Sequence, residues 1–379
     1  MDPLLFHIRA QQKTLVSFIG ELVECESPSD DSAAITKFCD LFASRISDIA
    51  RIQRIPGGKY GPHLQCVFDL PGKRKNGQIL ALGHSDTVYP LGTLAGMPFH
   101  RRVGRLWGPG VYDMKAGVAF FVFAMRALRE LEIPVRRRVV LQLNSDEEVG
   151  SESSRALTER EARKSAAVLV LEPGSGLDGQ AKTARKGVGD YSIKVTGKAA
   201  HAGVDFAAGA SAVLELARQI DRIATFTDLE RGITVNPGVI RGGTRGNVIA
   251  AEAHAEIDIR IARAKDEAGL DRKFRSLKPF DRRCTIQVTG GLNRPPMERS
   301  AEIAALFRKA KLLAAELGVT LEESSTGGGS DGNFTAALGV PTLDGIGAVG
   351  EGAHSPGESI LIDRIADRTA LLAKLVASL

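Results

Sequence analysis

No run of consecutive apolar residues in this sequence reaches the length needed to span a bilayer, about 18. The longest, around Ala116–Ala124, is only the size of a core helix or strand. A membrane-spanning helix is therefore not expected, and no membrane partner. The N-terminus, MDPLLFHIRAQQK, carries an acid at Asp2 and no apolar core segment, so no secretory signal is expected either. Cysteine is scarce. Cys25, Cys39, Cys66 and Cys284 are scattered with no C-x-x-C pair, which fits buried thiols in a reduced, cytoplasmic protein. An excess of one charge is also missing: 50 Lys and Arg stand against 45 Asp and Glu, a net +5 over 379 residues. The one dense cluster, Arg136–Arg138, opens an expected strand, so the composition speaks against a nucleic-acid partner. Neither internal repeats nor low-complexity tracts occur. What is present is ordinary: 43% hydrophobic and 25% charged residues exclude a disordered or fibrous chain. The length suits two domains.

The periodicity divides the chain. Apolar positions recur at helical spacing over about Leu4–Cys25 and again over Ser32–Ser47. HLQCVFDLPG (63–72), GQILALGHSD (77–86), RRVVLQLNSD (137–146) and AAVLVLEP (166–173) predict strands, and GVAFFVFAMRALREL (117–131) predicts a helix between two of them. Strands alternating with helices imply a mostly parallel sheet with helices on both faces. After about residue 182 the pattern changes. YSIKVTGK (191–198), a long helix over 209–226, TVNPGVIRGGT (234–244), the alternating AEAHAEIDIRI (251–261), a helix and CTIQVTGG (284–291) give the order strand–helix–strand–strand–helix–strand. That order belongs to an α+β, ferredoxin-like sandwich wet on one side. From about Leu292 the first pattern returns, with a helix over 300–317, a strand near 319–323 and another at PTLDGIG. The expectation is an α/β domain, 1–182 and 292–379, with a second domain, 183–291, inserted into it.

Chemistry-bearing residues fall at the ends of the parallel strands, where open α/β sheets bind ligands. ILALGHSD ends in His84 and Asp86, two apart and so on one side of an extended chain. VVLQLNSDEE ends in Asp146, Glu147 and Glu148, and VLVLEP ends in Glu172. Asp113 lies in a Gly-flanked loop just before a helix, and His354 in another Gly-rich loop. Singly, each has a bland explanation: a strand-end H-x-D, a solvated acidic turn, a surface histidine. The bland account needs five coincidences in order. Two imidazoles and several carboxylates without cysteine suit a pair of borderline divalent cations, zinc above all. Two ions need a bridging carboxylate, for which Asp113 is the natural candidate. Adjacent Glu147 and Glu148 diverge, so one is expected to bind metal and the other to act as a general base.

GHSDTVYP (83–90), GPGVYDMKAG (108–117), NSDEEVGS (144–151), LEPG (171–174), GKAAHAG (197–203) and TGGGSDGNF (326–334) together resemble the glutamate carboxypeptidase branch of metallopeptidase family twenty. Aminoacylases, acetylornithine deacetylases and succinyl-diaminopimelate desuccinylases are relatives. The resemblance covers nearly the whole chain. It implies a di-zinc amidohydrolase with a catalytic domain and an inserted dimerisation or lid domain, acting as a homodimer. It further implies that His84 and Glu172 ligate one zinc, that Glu148 and His354 ligate the other, and that Asp113 bridges the two. Asp86 would orient His84 through the imidazole N–H. Glu147 would be the general acid/base, and the Asp113–Met114 peptide would be cis. Glu172, where several relatives carry Asp, resembles the carboxypeptidase branch.

Three further matches lie in or beside the inserted domain. His201 resembles a histidine that reaches the partner subunit's site and stabilises the oxyanion, although on its own it reads as a turn histidine. Asn247 and Arg260 resemble a pair that holds a substrate carboxylate, and Arg260 also sits where a solvated arginine is normal. Gly327, Gly328 and Gly329 resemble a loop on the substrate backbone; a phosphate cradle is disfavoured because no Lys-Ser/Thr follows. Arg185 and Lys186 add cations that would either favour an acidic substrate or be surface charge. Ala353 replaces an aromatic found beside the histidine in some relatives. The expected activity is release of a C-terminal amino acid, glutamate first, from a peptide, folate-like or other N-acyl conjugate. An aminoacylase or aryl-amide hydrolase is the neighbouring alternative, and a non-hydrolytic metal-binding protein the distant one.

Overall fold

A computed structural model describes residues 2–73 and 75–379 of the chain, and its contacts divide into two units. The first takes the chain up to Ala184, Arg299–Thr326 and Ser330–Leu379; the second takes Arg185–Glu298 and Gly327–Gly329. The return to the first unit thus falls after Glu298, later than the expected 291/292. The reason is local. The last strand of the second unit, Thr285–Arg294, outruns its predicted end, and Met297 pairs with Arg185 through both backbone bonds, each 3.0 Å.

In the first unit six strands form one sheet, in the order Ala50–Pro56, Pro62–Phe68, Arg138–Asn144, Gln78–His84, Ser165–Val170, Thr342–Leu343. The last four run parallel, and the first two close one edge as an antiparallel pair. Strand residues alternate between two buried faces. Ile79, Ala81, Leu141 and Leu169 join a large core with the helices Gln12–Glu24, Ser32–Ile46, Ala116–Glu130, Ala301–Glu316 and Ile365–Ser378. Leu80, Leu82, Val140, Val168 and Val170 form a smaller core on the other side, beside the helix Arg155–Ala162. Burial on both faces is why these strands read as continuous apolar runs.

Three readings of this unit differ from the structure. The helix expected over 4–25 is two, Pro3–Ala10 and Gln12–Glu24, because Gln11 takes φ −93° and ψ 0° and its N–H turns back to His7 and Ile8. The strand expected near 319–323 lies at Glu323–Thr326 and pairs with Ala181–Arg185 in a separate two-stranded ribbon. A small antiparallel sheet of His100–Arg102, Arg105–Trp107, Gly350–Glu351 and Ser359–Leu361 was not foreseen, since strands of two and three residues carry no period.

The second unit is a four-stranded antiparallel sheet in the order Thr234–Gly242, Glu252–Ile261, Gly187–Thr196, Thr285–Arg294. With the helices Ala212–Ala224 and Glu267–Arg275, this is the expected ferredoxin-like order. Ala253, Ala255, Ile257, Ile259 and Ile261 face the helices and are buried with Tyr191, Leu216 and Phe274. Pro237 cannot donate to a ladder, and it sits on an edge strand, where the pairing shifts register between Pro237 and Val239.

Candidate metal centre

The sequence-predicted His84, Glu147, Glu148 and Glu172 arrive at one end of the parallel sheet because their strands do. His84 is the last residue of its strand and pairs in register with Asn144, the last of the next. From Asn144 the chain turns through Asp146 into a single helical turn, Glu147–Val149. Leu171 and Glu172 follow the strand Ser165–Val170. Their approach to the neighbouring backbone depends on glycine. A β-carbon at Gly117 would lie 2.1 Å from the Leu171 carbonyl oxygen, and one at Gly347 would lie 2.0 Å from it.

Asp113 and His354 come from elsewhere. Asp113 belongs to the turn Val111–Lys115 ahead of the helix Ala116–Glu130, and the Asp113–Met114 peptide is cis. His354 lies at the tip of the hairpin formed by Gly350–Glu351 and Ser359–Leu361. Its φ of +60° is a left-handed conformation that costs a residue with a β-carbon about 1–3 kcal/mol. Local bonds hold it: the Ser355 N–H and hydroxyl both donate to the Gly352 carbonyl, at 3.0 and 2.8 Å.

Two triads result. Donor atoms of His84, Asp113 and Glu172 lie within 4.8 Å of one another, as do those of Asp113, Glu148 and His354. Asp113 belongs to both. Its Oδ1 is 3.2 Å from His84 Nε2 and its Oδ2 is 3.4 Å from His354 Nε2. Glu172 Oε1 is 3.7 Å from His84 Nε2, and Glu148 Oε2 is 3.2 Å from His354 Nε2. The donors fit a pair of divalent cations. Glu148 Oε1 is buried without a hydrogen-bond partner, a cost that a cation would remove. The set is imidazole and carboxylate with no thiolate, the chemistry of borderline ions.

The electrostatics agree with a demand for positive charge. Burial alone would lower the His84 pKa, yet the Asp113 hydrogen bond and the charges of Asp86, Asp113 and Glu148 carry it well above the usual imidazole range. Contacts with Asp113 and Glu148 push His354 up to about 10. Burial works to raise Asp113, but the two imidazoles hold its carboxyl far below the ordinary range.

Asp86 holds this arrangement through two groups. Its backbone carbonyl accepts from His84 Nδ1 at 2.8 Å, which leaves Nε2 to face the triad. Its carboxylate lies 3.6 Å from Nδ1 and is engaged elsewhere. It accepts the N–H groups of Glu147 and Glu148, at 3.2 and 3.1 Å, and the Ser29 hydroxyl at 2.8 Å. Burial pushes its pKa up to about 6. The Glu147 side chain is half-buried beside Glu148.

Glu358 was not found from sequence. It is fully buried, and its carboxylate accepts the backbone N–H groups of Gly110, Tyr112 and Asp113 at 3.1, 2.8 and 3.0 Å and the Tyr89 hydroxyl at 2.6 Å. Burial raises its pKa. It thereby fixes the Asp113 turn to the hairpin that carries His354. No periodic signal could mark it, because its partners, three backbone N–H groups and the Tyr89 hydroxyl, lie far away in sequence.

The remaining expected residues belong to the second unit. His201 is exposed; its Nδ1 accepts from the N–H groups of Gly203 and Val204, both at 3.1 Å, so the ring proton of the neutral form sits on Nε2. Asn247 is exposed, and its carbonyl accepts the Ala202 N–H at 2.9 Å. Arg260 binds Asp258 and, at 3.3 Å, the Gly327 carbonyl. Gly327 and Gly328 are exposed, while Gly329 is confined by Arg294 and Val188. Arg185 is not surface charge: it is 4% exposed and donates to the carbonyls of Gly328 and Gly329, at 3.2 and 3.0 Å.

The sequence profile of peptidase family M20/M25/M40 matches residues 80–378. The chain belongs to that family. It is 29% identical over 388 residues to carboxypeptidase G2 of Pseudomonas sp. strain RS-16, covering 100% of this chain and 92% of the relative. It is also 29% identical, over 398 residues, to the succinyl-diaminopimelate desuccinylase of Cereibacter sphaeroides, covering 95% and 97% of the two chains. Among solved structures, aminopeptidase PepT from Bacillus cereus shares the fold at a TM-score of 0.78 and 23% identity, over 97% of this chain and 98% of that one. The M20 chain is thus a metallohydrolase of the peptidase and amidohydrolase class, with candidate ligands for a dinuclear centre.

Proposed function

We propose that this chain is a di-zinc exo-acting amidohydrolase that releases a C-terminal amino acid, glutamate as the first candidate, from peptides or from folate-like and other N-acyl conjugates. The observation that carries this reading is the pair of triads joined at Asp113, with Glu147 on the same turn as Glu148. His84 and Glu172 would hold one ion, Glu148 and His354 the other, with Asp113 between them. Bound there, the ions supply Lewis acidity and lower the pKa of water. Glu147 takes the proton from the water that attacks the amide carbon. As the C–N bond breaks, it returns that proton to the leaving amine. His201, acting in the partner subunit of a homodimer, donates its Nε2–H to the developing oxyanion. Asn247 and Arg260 hold the substrate carboxylate, and Gly327–Gly329 lie along its backbone. Carboxypeptidase G2 among the relatives supports the carboxypeptidase branch. The four cysteines are unpaired and buried, in keeping with a reducing, cytoplasmic setting.

The desuccinylase relative, at the same identity, favours a second reading in which the acyl group is the selected part, as in an aminoacylase or aryl-amide hydrolase. One sample separates the two. Metal content per chain is measured alongside hydrolysis of a folate-type glutamate conjugate and a panel of N-acetyl amino acids. Near two zincs with glutamate release is the expected result. Two zincs with turnover of acyl or aryl amides alone moves the assignment to the second reading. A folded, metal-free chain that stays inactive when zinc is added overturns both.

A further inference from the structure

Arg260 is the residue on which the carboxylate reading of the second unit turns, and its hydrogen bonds can be counted. A guanidinium has five N–H donors in a fixed planar fork. Here Nε donates to both Asp258 oxygens, at 2.9 and 3.1 Å, and Nη2 donates to Oδ2 at 2.7 Å. This is a side-on, two-point grip. Nη1 donates to the Gly327 carbonyl at 3.3 Å. Three N–H groups are committed, and one remains on each terminal nitrogen. Asp258 and Arg260 lie two apart on the wet face of the strand Glu252–Ile261, so the strand itself sets their spacing. Both side chains are partly exposed, 42% and 30%. An exposed ion pair of this kind adds little stability, so removing it should leave the fold intact.

We infer that Asp258 is a positioning residue for carboxylate selection: it holds the Arg260 guanidinium by one edge so that the two remaining terminal N–H groups meet a substrate carboxylate as a preformed fork. It also neutralises Arg260 in the empty protein, so the site selects a planar two-oxygen acceptor by geometry more than by charge. A flexible arginine would have to lose side-chain freedom on each binding event; the Asp258 grip removes that freedom in advance. The inference rests on the proposed role of Arg260 and deepens it.

The test is a double-mutant cycle of D258N and R260A in the metal-loaded enzyme. It compares a substrate with a free C-terminal carboxylate against the same compound as its C-terminal amide, and adds calorimetric binding of N-acetyl-L-glutamate to both variants in an E147Q background. The expected result for D258N is a rise in KM of about tenfold or more for the free acid. Its kcat should stay within about twofold, the amide should be unaffected, and N-acetyl-L-glutamate binding should weaken equally. Because Asp258 acts through Arg260, D258N should add nothing once Arg260 is alanine. D258E, which restores the carboxylate, should recover most of the loss. If D258N lowers KM, Asp258 competes with substrate and the inference is overturned; additive effects overturn it too. If R260A itself leaves free-acid KM unchanged, the carboxylate role of Arg260 is what fails. A strong R260A effect with a silent D258N overturns the inference alone.

Discussion

The two units handle their chemistry-bearing residues in opposite ways. In the first, each side chain of the cluster sits at the end of a buried strand or in a turn tied down by a buried acceptor: His84 by the Asp86 carbonyl, the Glu147–Glu148 turn by the Asp86 carboxylate, and the Asp113 turn by Glu358. In the second, His201 and Asn247 are exposed on loops, and Arg260 is held by Asp258 on its own strand and by the Gly327 carbonyl. The first arrangement is complete before any ligand arrives, which suits metal binding, where donors must be held close against their mutual repulsion. The second keeps donors outward, which suits groups that act on something brought to them. Preorganisation is found where charge is concentrated.

The largest effect should come from the buried side of this contrast. E147Q should lose about a hundredfold to ten-thousandfold in kcat while retaining full metal content by elemental analysis; unchanged activity would remove Glu147 as the base. Next comes the exposed side. H201A should lose roughly a hundredfold to a thousandfold in kcat, the scale of one oxyanion donor, with metal content intact. Mixed with E147Q, it should regain part of that activity if the histidine serves the partner subunit. Absence of rescue would confine His201 to its own chain. E358Q, which places an amide where four donors converge, should weaken metal affinity by about 10- to 100-fold in a competitive chelator titration. An unchanged affinity would show that the Asp113 turn holds its shape unaided.

The smallest effect is a pH dependence. His354 has its pKa raised to about 10 in the folded, metal-free protein, against about 6.5 unfolded. Its contribution to stability is therefore fully present below about pH 6.5 and is lost as pH rises toward 10. The Tm of chelator-treated protein should fall across that window, and metal loading should flatten the fall. A flat profile for the metal-free form would contradict the imidazolium–carboxylate account.

Part of the cluster was legible in sequence because it ends apolar runs: His84 closes a strand buried on both faces, Glu172 is the first polar residue past another, and Glu148 lies in the acidic turn that follows a third. The two-domain division and the ferredoxin-like order were legible for the same reason, since the period changes from continuous to alternating. What escaped was set by tertiary hydrogen bonding or by very short elements. Glu358 resembles any turn glutamate until the Asp113 turn packs on it. The hairpin that lifts His354 has strands of two and three residues. The break at Gln11 leaves no mark, because glutamine is an ordinary helix residue and only its dihedral angles end the first helix. At Asp86 the sequence pointed to the residue but not to the atom.

That last detail has a consequence for how such a protein can change over generations. Two functional groups of one aspartate serve the two halves of the centre, the carbonyl on the His84 side and the carboxylate on the Glu148 side. A substitution there keeps the backbone carbonyl on His84 but removes the two carboxylate oxygens that accept the Glu147 and Glu148 N–H groups and the Ser29 hydroxyl, and no neutral side chain supplies both. Variation in substrate preference is left to positions that carry one duty each, such as Ala353 or the loop around His201. The centre should therefore stay fixed while its surroundings drift, with Asp86 among the last residues free to vary.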